Sequence, residues 1–524
     1  MGRVGLWISG AAIVALVAVP IIGLIFAYLQ PPGLVEPPPL DWSAVGWMTV
    51  RTLGLAAAVS TLSLLLGTTL AFLDRRMQYP GRVFLAVMCI IPVAIPSYLL
   101  AAIIRESFAP LGLFGELLGL QGTFTGMGPA IFVLTLSCTP YVHFLVSAAL
   151  ADFPAAEDEA ARSLGAGFWR RFKALLMPRL RPTWGFSLIL IALYVVSDFG
   201  AVAVLNCEVL TWKLYEARGA QDAYLLGFAM MLCVLPLLGV VRWMSGKQEP
   251  SRGQAKSREV ARIPLKGWWV VGAVVSHGFL IGFGVVLPGF VLFEWVLMGL
   301  DNSSQLMPVA DPLMWTTLYT TVGTIVTVSV ALIPAWIVAR RASKRVGSWM
   351  ENTTYLTSAL PGVLLAFALL RLKLGLNRHV PVDVGGTSLW DGLETAGVLL
   401  IIGYLMRFLA EAYAMIKPAL LNMDLRQEES ARSLGAGKLK VLRTVTLPMI
   451  RPGLMAAFLL LFVSIAKELP VTLMLTPTGV QTLAYRVFNA QEEASFPDVG
   501  VSGLILVALA LGMQAILAKR RRDG

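Results

Sequence analysis

The stretch ARSLGAG occurs twice in this 524-residue chain, at positions 161–167 and again at 431–437. Seven identical residues therefore recur 270 positions apart in a sequence whose two halves otherwise match only loosely. The same offset relates Pro178 to Pro448. Self-similarity at a fixed separation indicates a tandem duplication, and each copy is one structural unit.

The second copy continues into Lys438, and the letters GAGK suggest a phosphate-binding loop. Such a loop needs a glycine five residues before the Gly-Lys pair and a Ser or Thr after it. Arg432 occupies the first of these positions and Leu439 the last. The sequence therefore predicts no nucleotide site at this place.

Composition assigns the chain to the membrane. Hydrophobic residues make up 57% of it, charged residues only 14%, and the mean hydropathy is +0.74. Windows of about 20 residues, the length that crosses a bilayer, predict an all-α polytopic protein of about twelve transmembrane helices. The predicted spans are 6–28, 47–73, 83–104, 129–150, 183–205, 223–241, 268–297, 315–338, 352–370, 395–416, 453–475 and 500–518.

A polar, charged segment at 247–266 separates six of these spans from the other six. We therefore predict a first half at 1–246, a cytoplasmic linker at 247–266 and a second half at 267–524. Because each half has an even number of spans, the two six-helix repeats are expected to lie parallel in the membrane.

Basic residues lie in alternate connections between the spans, including 162–181, 417–451 and the C-terminal 519–522. The opposite connections 29–46 and 299–314 contain no Lys or Arg. The positive-inside rule then places both termini in the cytoplasm. The formal charge of +11 follows from this topology, so nucleic acid is not an expected partner.

Cysteine and histidine predict no further chemistry. The four cysteines indicate no disulfide framework, and His143, His277 and His379 are scattered without metal-ligand spacing. We predict neither a metal site nor a cofactor.

Each ARSLGAG copy lies in a long cytoplasmic connection that has the features of a helix, a turn and a second helix. Asp424 precedes the second copy as a helix N-cap, and Gly165 and Gly435 supply the permissive backbone that ends a helix. The second short helix is expected to stop near Pro178 or Pro448. A hairpin of this kind could be a simple connector, but two nearly identical copies favour a repeated partner.

These residues resemble the EAA loop of permease subunits of ATP-binding-cassette importers. Ser430 is a departure, because it replaces an alanine of the pattern. In that family the loop is a coupling helix that docks on the ATPase, so the resemblance implies one ATPase copy on each loop. The matching residues are Glu159, Ala160, Ala161, Gly165 and Pro178 in the first copy, and Glu429, Ser430, Ala431, Gly435 and Pro448 in the second.

The resemblance covers nearly the whole chain, which is similar to fused two-half permeases of ferric-iron importers. The segments 197–217 and 466–490 look most like the iron branch. The resemblance implies a subunit of the bacterial inner membrane that takes ferric iron from a soluble binding protein, with ATP hydrolysis in a separate subunit. Thiamine, aminoethylphosphonate and polyamine importers remain alternatives, and a twelve-helix secondary transporter is an alternative of another class.

Two acids occur at equivalent places inside predicted spans five and eleven. Asp198 and Glu468 are 270 residues apart, toward the outer end of each span. A carboxylate at this depth costs about 2.5–3.5 kcal/mol on insertion scales, so it should face a cavity or a partner. Both acids could line a cation path, or they could bond neighbouring helix ends and stabilise a kink.

Overall fold

The computed structural model describes residues 3–29, 41–151, 153, 155–219, 223–245, 262–301, 308–340, 344–357, 360–384 and 387–523. Within them the chain is almost entirely helical. The α-helices are α1 (Arg3–Leu29), α2 (Trp42–Arg76), α3 (Arg82–Met88), α4 (Ser97–Ser107), α5 (Leu113–Leu118), α6 (Met127–Ala151), α7 (Ala155–Ser163), α8 (Phe168–Arg171), α9 (Met177–Ser197), α10 (Gly200–Val204), α11 (Leu210–Glu216), α12 (Ala223–Ser245), α13 (Trp268–Ile281), α14 (Leu287–Asp301), α15 (Ala310–Arg340), α16 (Lys344–Thr357), α17 (Gly362–His379), α18 (Leu389–Thr395), α19 (Val398–Leu421), α20 (Leu425–Ser433), α21 (Lys438–Val441), α22 (Leu447–Ala466), α23 (Pro470–Leu475), α24 (Leu483–Glu492) and α25 (Phe496–Asp523).

Shorter elements complete the described chain. Short 3₁₀ turns lie at Ile91–Ala94 and Ala217–Gly219, and π-helical stretches lie at Phe172–Leu176, Gly282–Val286 and Leu442–Thr446. Strand β1 (Met77–Gln78) pairs in parallel with β2 (Ile263–Pro264), and β3 (Asp383–Val384) pairs antiparallel with β4 (Thr387–Ser388).

The apolar helices confirm the all-α, polytopic membrane fold. Among the described residues, eight helices are long and apolar enough to cross a bilayer, and two further pairs qualify if each bent pair is one span. Two shorter apolar helices, Val14–Leu29 and Ala223–Leu237, coincide with predicted spans one and six. Helices suit this environment because they satisfy every backbone hydrogen bond within one segment.

The chain divides into two compact units. The first unit comprises Asp41–Lys213 and Ala229–Ser303, and the second comprises Met1–Leu40, Leu214–Phe228 and Ser304–Gly524. Most of the predicted linker, 247–266, lies outside the described residues. The division into halves at 1–246 and 267–524 concerns the repeat in sequence and stays a prediction.

In the second unit, α1 packs along α17. Gly23 lies so close to the backbone of Ala368 that an added Cβ would collide with it. The ring of Phe26 lies 6.0 Å from that of His379. Small residues permit this close approach of membrane helices. The first predicted span therefore packs with elements of the second half.

In the first unit, the continuous helix of α13 and α14 packs on elements of the first half. A Cβ added at Gly284 would lie 2.9 Å from the ring of Pro92. The ring of Phe283 lies 5.4 Å from that of Phe132 and 5.8 Å from that of Phe114. The seventh predicted span thus belongs to the first unit, whereas the first predicted span belongs to the second unit.

A buried polar cluster, the Asp74 cluster, fastens this seventh span within the first unit. His143 Nε2 lies 2.7 Å from Asp74 Oδ2, and His277 Nε2 lies 3.2 Å from Asp74 Oδ1. The Tyr79 hydroxyl donates to Asp74 Oδ1 at 2.8 Å. Burial, together with the Asp74 carboxylate, raises the pKa of Tyr79, so its phenol stays protonated and keeps donating. Two of the three histidines that are scattered in sequence are therefore partners of one carboxylate.

We predict that Asp74→Ala lowers the thermal stability of the purified protein in detergent. The change leaves His143, His277 and Tyr79 buried without their shared acceptor, and each stranded group costs about 1–3 kcal/mol. Glu116→Ala is the matched control, because Glu116 is an exposed acid of the same unit. Equal unfolding midpoints for the two variants would show that the cluster contributes nothing to stability.

Candidate functional site

The two ARSLGAG copies form hairpins with the same sequence of elements. The first hairpin consists of α7, a turn, α8 and the π-helical stretch Phe172–Leu176, and it continues into α9. The second hairpin consists of α20, a turn, α21 and the π-helical stretch Leu442–Thr446, and it continues into α22. The predicted helix, turn and helix are therefore present twice.

The turns of the two hairpins are closed by the same hydrogen bonds. Gly165 N–H donates to Arg162 O at 2.9 Å, and Ala166 N–H donates to Ala161 O at 3.0 Å. Gly165 has φ of 75°. This is the Schellman arrangement, in which a left-handed residue ends the helix and satisfies its last carbonyls.

The second turn repeats this geometry. Gly435 N–H donates to Arg432 O at 2.9 Å, Ala436 N–H donates to Ala431 O at 3.1 Å, and Gly435 has φ of 82°. The prediction that both glycines end a helix is confirmed. The predicted cap is also present, because the Asp424 carboxylate accepts from Arg426 N–H at 3.0 Å.

The prediction that the second short helix stops near Pro178 or Pro448 is wrong. The chain stays helical from Trp169 to Ser197. The proline lies in the first turn of α9 or α22, directly after a π-helical stretch. Proline has no N–H to donate, and the wider π-helical turn before it spaces the preceding carbonyls differently from an α-helix, so the helix continues past the proline.

The motif residues themselves lie mostly at the surface of the hairpins. Glu159 and Glu429 are exposed, as are Ala160 and Ser430. The last alanine of the motif, Ala161 in the first copy and Ala431 in the second, is half-buried.

Each turn also presents an exposed leucine. Leu164 is 86% exposed and Leu434 is 88% exposed. A large apolar side chain held in solvent at the same place in two repeats suits an anchor that a partner buries. The sequence already carried this signal, because leucine stands between Ser and Gly in both copies.

A buried acid, which the sequence analysis did not identify, fastens the two arms of each hairpin together. In the first hairpin, Asp158 accepts from Arg162 at 2.7 Å and from Arg171 at 2.6 Å. Asp158 is 3% exposed. The guanidinium of Arg171 thus joins α8 to α7.

In the second hairpin the buried acid is Glu428, which is 2% exposed. It pairs with Arg340 at 3.2 Å and accepts from Thr446 Oγ1 at 2.9 Å. Arg340 is the last residue of α15, so this acid connects the hairpin to a membrane span. Asp158 and Glu428 are 270 residues apart, and this separation could have identified them.

Asp198 lies at a break between helices rather than within a continuous span. Helix α9 ends at Ser197 and α10 begins at Gly200. Asp198 Oδ1 accepts from Ala201 N–H at 2.9 Å, and Asp198 Oδ2 accepts from Ser97 Oγ at 2.6 Å. The carboxylate therefore caps α10 and ties it to the first residue of α4.

Glu468 occupies the same place in the second unit. Glu468 Oε2 accepts from Val471 N–H at 2.9 Å and from Thr472 N–H at 3.3 Å, so it caps α23. At the position that corresponds to Ser97 stands Gly362, where an added Cβ would lie 2.7 Å from Glu468 Oε1. The longer acid thus faces a glycine, and the shorter acid faces a serine.

Prolines bend the spans that face these acids. Pro96 precedes α4 and Pro361 precedes α17, and each is the residue just before its helix begins. The helix axis turns by 101° at the first break and by 88° at the second. Each acid therefore stands beside a bent span.

No group of three or more His, Cys, Asp or Glu side chains in the described part of the chain is arranged to hold a metal ion. Two carboxylates at helix breaks and two surface hairpins are thus the features on which a function can be built. The carboxylates can attract a cation, and the hairpins can dock a protein.

Residues 63–253 and 328–523 match the family described as "binding-protein-dependent transport system inner membrane component". The chain is 27% identical to a Fe(3+)-transport system permease protein of Haemophilus influenzae, over 90% of this chain and 89% of the relative. It is 21% identical to a ferric transport system permease protein of Actinobacillus pleuropneumoniae, over 88% and 69%. It is 25% identical to a phosphate-import permease protein of Mycolicibacterium smegmatis, over 92% and 86%. Because the family match covers well over half of the chain and occurs twice, this multi-pass membrane protein belongs to the inner membrane permease family of binding-protein-dependent, ATP-binding-cassette transport systems.

Proposed function

We propose that this chain is the membrane permease of an ATP-driven ferric-iron importer. It receives the ion from a soluble binding protein on the outer side and docks two copies of a separate ATPase on the cytoplasmic side. Both termini lie in the cytoplasm, on the same side as the two hairpins. The chain itself hydrolyses no ATP.

The observation that carries this proposal is the pair of matching hairpins. A connector between spans needs neither the same capped turn nor the same exposed leucine in both repeats. A partner present in two copies would demand both features. A secondary transporter has no need of two such surfaces.

Ferric iron is the favoured cargo because two relatives that span most of the chain are named as ferric permeases. The carboxylates of Asp198 and Glu468 are hard oxygen ligands, which suit a hard cation. The phosphate-import relative makes an oxyanion the second candidate cargo.

The test of the proposal is uptake in the source organism with and without this gene. We expect deletion to reduce uptake of radiolabelled ferric iron at least tenfold and to leave uptake of labelled phosphate and thiamine unchanged. Loss of phosphate or thiamine uptake instead would change the cargo and leave the importer class in place. Unchanged uptake of every cargo after depletion of the ATPase would contradict the importer class.

A second prediction concerns docking of the ATPase on the two hairpins. The double variant Leu164→Ser, Leu434→Ser should reduce co-purification of the ATPase at least tenfold, because burial of one leucine contributes about 1.5–3 kcal/mol. Leu111→Ser is the matched control, since Leu111 is 93% exposed but lies outside both hairpins. Equal co-purification in the two variants would exclude the leucines as anchors.

A third prediction concerns the acids at the helix breaks. The double variant Asp198→Asn, Glu468→Gln keeps the size of both side chains and an oxygen that can cap the next helix, but it removes both negative charges. We expect normal abundance and thermal stability with at least tenfold slower ferric uptake, measured at equal amounts of protein in the membrane.

Two comparisons make this result interpretable. Ala at either site should lower stability, because the backbone N–H groups of Ala201 or Val471 lose their acceptor. Glu116→Gln controls for loss of an exposed acid. A normal uptake rate in the Asn and Gln double variant would show that the acids act only as helix caps.

A further inference from the structure

We propose that a cleft at the base of the first hairpin binds the phosphate group of an anionic ligand. The cleft lies between the end of α2 and the hairpin, and both belong to the first unit. We call it the arginine cleft, and its polar lining consists of Arg76, Asp158, Arg162 and Arg171.

The arginine cleft has an excess of positive charge. Three guanidinium groups line it with one carboxylate, so two positive charges are left in excess. Arginine stays protonated in proteins, so this excess cannot be removed by loss of a proton. An anion of one or two negative charges would neutralise it.

Hydrogen-bond donors in the arginine cleft lack acceptors. Arg76 is 6% exposed, and its Nε and Nη2 atoms are buried without a hydrogen-bond partner. Arg171 Nε is also buried without a hydrogen-bond partner. Buried donors are nearly always paired in folded proteins. Unpaired donors on two arginines beside an open cleft indicate that an acceptor is missing from it. Arginine binds phosphate oxygens through pairs of parallel N–H donors, so a phosphate group suits this place.

Neighbouring contacts hold these guanidinium groups in place before any ligand binds. Arg76 lies over the ring of Phe153, 4.6 Å from its centroid. Both Arg162 and Arg171 are fixed by Asp158, at 2.7 Å and 2.6 Å. The single carboxylate therefore already accepts from two arginines, and Arg76 needs a different acceptor.

The buried acid of the second hairpin has different partners from that of the first hairpin. Its acid, Glu428, is one methylene longer and pairs with Arg340 at the end of α15. Val441 stands 270 residues after Arg171, so one positive charge is absent there. At the end of α15, Arg340 Nη2 is buried without a hydrogen-bond partner. Arg341, which stands at the position that corresponds to Arg76, lies outside the described residues.

Two sources could supply the phosphate group. Basic pockets at the cytoplasmic ends of spans bind the headgroups of anionic lipids. Inorganic phosphate presents the same oxygens without a lipid tail. The apolar side chains of Phe72 and Phe172 line the cleft beside the arginines and could contact an acyl chain.

The experiment measures binding to the purified full-length chain in detergent after delipidation. One arm titrates short-chain phosphatidic acid and phosphatidylcholine, and the other titrates radiolabelled inorganic phosphate by equilibrium dialysis. Arg76→Gln removes the charge from the cleft, and Arg75→Gln is the matched control, because Arg75 is its exposed neighbour. If Arg76→Gln does not accumulate, Arg171→Val places the residue of the second repeat in the cleft.

We expect saturable binding of phosphatidic acid or of inorganic phosphate that falls at least tenfold in Arg76→Gln or Arg171→Val and less than twofold in Arg75→Gln. Binding in the lipid arm alone identifies a headgroup, and binding in both arms identifies the phosphate group itself. Absence of saturable binding in both arms would overturn the proposal. An equal loss in the Arg75→Gln variant would also overturn it. Neither result depends on ferric transport, so this test is independent of the proposed function.

Discussion

A helix that breaks inside a membrane releases backbone N–H groups where no water can accept them, and each such group must find an acceptor on the protein. Asp198 and Glu468 meet this constraint at two equivalent breaks. Each acid caps the short helix that follows it and stands beside a span bent at a proline. These hydrogen bonds offset part of the cost of a carboxylate inside a membrane span.

Equivalent contacts are built from different residues in the two repeats. The shorter acid, Asp198, is reached by the Ser97 hydroxyl, whereas the longer Glu468 lies against Gly362. The combined length of the two facing side chains is thus similar in both repeats, although both residues differ. Compensation of this kind is expected where packing is dense and a change in one side chain must be absorbed by its neighbour.

Features that depend on local sequence were predictable, whereas contacts between distant residues were not. Hydropathy predicted the spans, and glycine after a helix predicted the left-handed turns at Gly165 and Gly435. The predicted helix end at Pro178 is wrong because a π-helical stretch, which has no sequence signature, precedes the proline and the helix continues past it. His277 and Asp74 meet across 203 positions, and no local pattern predicts such a pair. Of the two alternatives for Asp198 and Glu468, bonding to a neighbouring helix end is present in the structure. Hydropathy did not locate the breaks themselves, because an apolar run has the same composition whether its helix is continuous or interrupted.

The exposed turns of the two hairpins are identical, whereas the buried acid beneath each turn and its partner differ. The residues from 162 to 165 are exposed, as are those from 432 to 435, and these stretches are identical in sequence. The buried acid beneath them changes from Asp158 to Glu428, and its partner changes from Arg171 to Arg340. Repeats that share only a fold usually keep their buried positions and lose identity at the surface, because packing constrains the interior. The reverse pattern at these turns agrees with the proposed contact of each hairpin with one copy of the same partner.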